Sequence, residues 1–220
     1  MDALRQQFFN FEIMGLSWPM LIDGLWMTAL LCLIVIPLGL LSGVAAALLS
    51  ISKNPIVRWT TMAYVDFFRA IPPLVLLIFV YSGLPFAGIR PSPFEAVAIA
   101  FLLNNSAYYG EIYRAGILSI GAGQEEAARS TGLTAAQTML YVTLPQAVRN
   151  VLPDLISNTV EVVKLTALAS VVSLPELLYQ ADMARSVTFN ASPIVAAAAI
   201  YLVILWPMVR LVSRMERRLG

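Results

Sequence analysis

GQEEAARSTGLTAAQTMLYVTLPQA, residues 123–147, is the longest polar-to-mixed interval in an otherwise oily chain. It reads as two short helices with explicit punctuation. Gly121 and Gly123 end what precedes them. Gln124, Glu125 and Glu126 then place acidic and polar groups in a first helical turn, where exposed N–H groups and the macrodipole favour them. Gly132 breaks that helix. Thr134 followed three residues later by Gln137 is a capping-box pattern, so a second helix starts there and runs to about Val142. Pro145 suits the start of a further helix, because a proline at the first helical position loses no hydrogen bond. Ala127, Ala128, Ala135 and Ala136 give the pair small side chains, which suit docking into another protein's groove.

The flanking chain is of a different kind. Of 220 residues, 59% are hydrophobic and only 12% charged, too apolar for a soluble domain and typical of a membrane protein. A net charge of +1 provides no field for nucleic acid. The single cysteine, Cys32, and the absence of histidine leave no disulfide framework, no metal cluster and no Ser-His chemistry. Asp2, Arg5 and Glu12 interrupt the first twenty residues, which argues against a removable signal peptide.

Outward from residues 123–142, apolar runs predict five transmembrane helices at about 24–50, 58–83, 94–117, 145–172 and 193–212 in one domain spanning 1–220. The fold class is all-α membrane protein, with the short helix pair between the third and fourth spans. Pro72–Pro73 and Pro153 are expected to kink their helices, and the segment with Glu176, Asp182 and Arg185 reads as a loop. Nine of the fourteen basic residues fall on one side: Lys53, Arg58, Arg114, Arg129, Arg149, Arg210, Arg214, Arg217 and Arg218. Arg5, Arg90 and Arg185 fall on the other. The positive-inside rule then puts residues 123–142 and the C-terminus in the cytoplasm and the N-terminus outside, as an odd number of spans requires.

The outer two spans have uncharged runs long enough to face lipid; the middle three carry groups that are costly in hydrocarbon. Asp66 with Arg69, and Glu161 with Lys164, are i,i+3 pairs on one helical face each. Self-neutralised packing and the lining of a path for a polar solute are both open readings. The same holds for Asn104 and Asn105, in a patch with Ser106, Tyr108, Tyr109 and Glu111, where interhelical hydrogen bonding is the alternative to pore lining. No Gly-Lys-Ser/Thr phosphate loop exists around either lysine, so ATP-driven transport would need a separate ATPase chain.

EAARSTGLTAAQTMLYVTLP, Glu126 to Pro145, resembles the EAA motif of bacterial ABC importer permeases, with Glu126, Ala127, Ala128, Gly132, Val142, Leu144 and Pro145 at family spacing. YVDFFRAIPPLVLLIFVYSGLP, LLNNSAYYGEIYRAGILSIGAGQ, LPDLISNTVEVVKLTALASVVSLPELL and the terminal MERRL resemble the branch that imports polar amino acids. The resemblance runs from about Gly24 to the C-terminus. It departs where the family commonly has Phe-Arg-Gly-Thr-Pro and this chain has Phe68, Arg69, Ala70, Ile71 and Pro72. It departs again where Leu-Lys-Asp-Thr-Ser is replaced by Val163, Lys164, Leu165, Thr166 and Ala167.

That resemblance implies a non-enzymatic permease subunit of the bacterial inner membrane, moving a polar amino acid or related compound. Its implied partners are two cytoplasmic ABC ATPase subunits that bind the ATP and magnesium, a second or sister permease, and an extracytoplasmic solute-binding protein. No cofactor is expected in this chain. The helix pair would be the coupling element, with Glu125, Glu126, Ala127, Ala128, Gly132, Leu144 and Pro145 at the ATPase interface; a hairpin stabilised only within its own subunit is the alternative. Asp66, Arg69, Asn104, Asn105, Glu161 and Lys164 are the candidate pathway residues. A self-sufficient secondary transporter or channel is the rival function.

Overall fold

The computed structural model describes residues 2–219, with side chains through Met215, so the side chains of Arg217 and Arg218 lie outside the described residues. Helices account for almost all of the described residues, and no strand occurs among them. The first two are α1 (Asp2–Phe8) and α2 (Phe11–Ser50). The helix thus begins well before the expected span start at residue 24. Asn10 accepts the backbone N–H of Glu12 (3.1 Å) and Ile13 (3.2 Å) and caps α2 at its true beginning. At 40 residues α2 is roughly 60 Å long, about twice the thickness of a hydrocarbon core.

Next, α3 (Pro55–Ala70) starts at the Asn54 cap and ends at Ile71 and Pro72, both extended. A residue before proline is driven out of the helical region, and here two consecutive residues precede one. The continuous helix expected at 58–83 is therefore two pieces. The second, α4 (Pro73–Ile78), runs on through a π turn at Phe79–Gly83 and a 3₁₀ turn at Leu84–Ala87. Then α5 (Pro93–Leu118) begins where Ser92 and Glu95 cap each other.

The polar interval forms α6 (Ala122–Ser130) and α7 (Ala135–Thr138), and a π turn at Met139–Thr143 leads into α8 (Leu144–Asn150). Val151 leaves helical geometry before α9 (Leu152–Leu165), which tightens to 3₁₀ over Thr166–Val172. The expected loop around Glu176 is instead a helix, α10 (Leu177–Thr188). The Glu176 carboxylate accepts the N–H groups of Leu178 (2.9 Å) and Tyr179 (2.7 Å), and Asp182 pairs with Arg185 one turn apart. Finally α11 (Ser192–Leu219) closes the chain.

Among the described residues, three stretches are long and apolar enough to cross a membrane: Asp2–Ser50, Leu152–Val172 and Ser192–Met215. The broken pair Pro55–Ala70 and Pro73–Ala87 is a fourth if it forms one span. By length α5 would suffice, but Asn104, Asn105, Glu111 and Arg114 lower its apolarity.

The chain divides into two compact units. The first comprises Met1–Ile36, Pro72–Phe101 and Val160–Arg210. Its core joins Leu21 of α2, Leu177 and Ala181 of α10, and Ala197 of α11. Gly24 lets α2 approach the start of α10 so closely that an added Cβ would stand 2.8 Å from the Leu177 Cα. Thr28 accepts the Leu177 N–H (3.1 Å), and Tyr201 donates to the buried Glu176 carboxylate (3.1 Å). Burial pushes the Glu176 carboxyl above the usual carboxylate range, against the opposing pull of the Leu178 and Tyr179 N–H groups.

The second unit comprises Pro37–Ile71, Leu102–Thr159 and Leu211–Gly220. Here Gly39, Gly43 and Ala47 give α2 a small-residue face that meets α5 around Asn105, Tyr109 and Gly110. At Gly43 an added Cβ would lie 2.5 Å from the Tyr109 Cβ, and at Gly110 2.9 Å from the Ala46 Cβ. So α2 is not simply a lipid-facing helix: this face packs, while Leu33 and Leu41 remain exposed.

Candidate functional site

Two groups of candidate residues lie within the second unit. The first is the polar interval. Gly121 caps α6 in extended geometry, so Glu125 falls in the first turn, where its charge suits the free N–H groups. Glu125, Glu126 and Ala127 are exposed, whereas Ala128 is buried. Gly132 sits at φ 92°, a backbone region that an L side chain enters only with strain. Arg129 donates to the Leu133 carbonyl (2.9 Å) across this turn.

The capping box read from the sequence is present. The Gln137 N–H donates to Thr134 Oγ1 (3.2 Å), and the Thr134 N–H donates to Gln137 Oε1 (2.8 Å). Leu144 is half-buried and Pro145 exposed at the start of α8. Close packing anchors the interval at both ends: Asn150 donates to the Ser119 hydroxyl (3.0 Å), and an added Cβ at Gly116 would stand 2.9 Å from the Ala147 carbonyl. Between these anchors lies a surface of small and acidic side chains, with Leu140 and Tyr141 exposed beside it.

The second group is charged. Asp66 and Arg69 share a face of α3, as expected, but Arg69 forms its ion pair with Glu111 of α5, at 3.8 Å, and not with Asp66. Glu111 is held more tightly by Arg114, whose Nε donates to Oε2 (2.9 Å) and whose Nη2 donates to Oε1 (2.6 Å). With Ser50, these four residues line a cavity of about 70 Å³. By sequence alone Glu111 belongs to a polar patch and Arg114 to the cytoplasmic basic residues. Their own i,i+3 spacing was the available signal.

Asn104 and Asn105 are both buried; Asn104 donates to the Phe68 carbonyl (3.1 Å) and Asn105 lies against Gly39. Neighbouring α5 side chains act similarly: the Tyr64 and Ser106 hydroxyls pair at 2.6 Å, as do those of Tyr109 and Thr159 at 2.8 Å. In the first unit, Glu161 and Lys164 form the anticipated ion pair on α9, with both side chains about half exposed. The pathway candidates thus fall into a buried amide pair, an interhelical charge cluster and a separate exposed ion pair.

The chain as a whole is similar to known proteins. The family model described as "Binding-protein-dependent transport system inner membrane component" matches residues 35–220. A probable glutamine ABC transporter permease protein, GlnM of Bacillus subtilis (strain 168), is 37% identical over 211 residues, covering 96% of this chain and 98% of the relative. A probable amino-acid ABC transporter permease protein of the same organism, YckA, is 38% identical over 175 residues, covering 80% of this chain and 77% of the relative. A crystal structure of an amino acid ABC transporter with histidines superposes with a TM-score of 0.85 at 38% identity, covering 95% of this chain and 98% of that one. The apolar helices, the exposed interval between α5 and α8 and these matches lead to one conclusion: the chain belongs to the family of binding-protein-dependent transport system inner-membrane components, the permease subunits of ABC importers.

Proposed function

We propose that this permease imports a polar amino acid or related compound across a bacterial inner membrane and takes its energy through the α6–α7 interval. The observation that carries the coupling reading is the exposed edge Glu125, Glu126 and Ala127, held on packed anchors and bounded by the Gly132 turn. Small and acidic side chains on a supported helix suit a cleft in another protein, and ATP and magnesium would be bound there by two cytoplasmic ATPase subunits. Closure of that pair would pull on residues 123–142 and open the path outward; hydrolysis would reset it. A second or sister permease and an extracytoplasmic solute-binding protein complete the assembly. The amino-acid assignment rests on relatives named for glutamine and amino-acid transport.

Five crossings in a single transmembrane domain are supported by how the first unit is tied. The Asn10 N–H donates to the Ser192 hydroxyl (2.9 Å) and the Ala191 N–H to the Gln7 carbonyl (3.0 Å), so α2 and α11 begin side by side. A groove lined by Met14, Trp18 and Ile22 of α2 and by Ala196, Ile200 and Ile204 of α11 continues from that junction. Two spans that start together and run in the same sense need an odd number of crossings in all. The broken pair 55–87, α5 and the stretch 144–172 supply the three between them. The distribution of basic residues supports an N-terminus outside and a C-terminus in the cytoplasm.

Glu126→Lys tests the coupling reading. Uptake and solute-stimulated ATP hydrolysis should be lost while the amount of inserted permease is unchanged. Normal coupling in that variant would remove Glu126 from the ATPase interface.

A further inference from the structure

We propose that Glu111 is an internal guard on Arg69: its carboxylate occupies the guanidinium when no solute is present, the solute's own carboxylate displaces it, and Arg114 retains it once displaced. The inference rests on the amino-acid reading above in one respect, that the solute carries a carboxylate.

The geometry of the three side chains is unequal in a way that packing alone does not require. Glu111 takes two short charge-assisted bonds from Arg114, one on each oxygen. Arg69 Nη1 approaches Oε2, the oxygen already held by Arg114 Nε, and at 3.8 Å it stands outside hydrogen-bonding distance. Withdrawing Arg69 therefore leaves both Glu111 oxygens bonded. The large penalty for orphaning a desolvated carboxylate does not arise, and the Arg69–Glu111 link is the weak member of the triad.

Arg69 has a support besides Glu111. Its guanidinium carbon lies 5.7 Å from the centroid of the Tyr108 ring, within cation–π range, and the Tyr108 hydroxyl donates to the Arg69 carbonyl (3.4 Å). A guanidinium oriented by an aromatic face, partly solvent-exposed and loosely neutralised has donors to offer an incoming carboxylate in the two-point geometry that arginine favours. Asp66 lines the same cavity from the α3 side, and about 70 Å³ leaves room for a water or two beside the charges, so the pair is not locked by close packing.

The guard predicts opposite effects from its two supports. In the purified permease–ATPase complex, binding of each of the twenty proteinogenic amino acids is measured by titration calorimetry, with membrane abundance followed in parallel. For those that bind the wild type, Glu111→Gln should tighten binding about tenfold, since the competing charge is gone. Arg114→Gln frees Glu111 to engage Arg69 fully and should weaken binding by about the same factor. Should Arg114→Gln fail to accumulate, Arg114→Lys, which keeps the charge but not the two-point grip, should shift binding the same way by less. Both shifts should vanish in an Arg69→Gln background, a double-mutant cycle that separates a guard from a general change of field. Shifts of equal sign, or shifts that persist without Arg69, overturn the guard. If no amino acid binds the wild type, the amino-acid reading falls and takes the proposal with it.

Discussion

Glycines near the α2–α5 contact and glycines around α6 do opposite work. At Gly43 and Gly110 the neighbouring helix stands so close that one added carbon collides at 2.5 Å and 2.9 Å. At Gly121, Gly123 and Gly132 an added carbon would meet nothing within 4 Å. In the first region the missing side chain allows two backbones to approach, and the gain is packing. In the second it leaves space open on a helix whose acidic and small side chains face outward. Under the proposed coupling role that space would serve a docking partner, since nothing in the chain itself packs into it. Gly132 is exposed yet required by its backbone, at φ 92°.

The sharpest way to break this contrast is to fill the packed site. Gly43→Val should cost on the order of 3 kcal/mol through forced displacement of Tyr109, seen as a collapse of membrane abundance and a lower unfolding temperature in detergent. Near-normal stability would show that α2 and α5 are not locked there. A smaller effect is expected at the exposed turn. Gly132→Ala should cost roughly 1 kcal/mol through the left-handed backbone, and its main signature should be a fall in uptake per inserted molecule, with abundance little changed.

Caps extend the same comparison. Thr134→Ala removes half of an exposed capping box, worth about 1 kcal/mol, and hydrogen exchange should quicken across α7 while the α2–α5 contact stays protected. Glu176 is the buried counterpart. Its folded carboxyl titrates above the unfolded one, so the protonated form's stabilising contribution is complete below about pH 4.3 and is lost as pH rises through the raised value. Glu176→Gln keeps an acceptor for the α10 N–H groups and cannot ionise. The pH dependence of unfolding should flatten in this variant, while uptake at neutral pH persists.

Local chemistry made much of the polar interval legible. The Thr134–Gln137 box, the Gly132 break, the interruption at Pro72–Pro73 and the break before Pro153 all depend on residues within four positions of each other, and each occurs where the residues put it. Three features were hidden because distant partners or mixed character decide them. Helix α10 carries charged and apolar residues without a clear stripe, and its start depends on a buried glutamate cap contacted by Tyr201. The Arg69–Glu111 pair joins residues 42 apart in sequence, so the nearer Asp66 was the natural guess. The Gly39–Gly43–Ala47 spacing was visible in principle, but only the Tyr109 and Gly110 backbone shows what the small face is for.

A cross-link distinguishes an α6 edge seated on the ATPase from one stabilised only within its own subunit. In a Cys32→Ser background, which removes the native cysteine, Ala127→Cys should form a cross-linked species with an ATPase subunit carrying a single cysteine in its docking cleft, in the assembled complex. Its yield should change when ATP is bound. Ala45→Cys, on the apolar span α2, should give none under the same conditions. Absence of any cross-link from Ala127→Cys to the ATPase, in a complex that still imports solute, would remove the α6 edge from the ATPase interface.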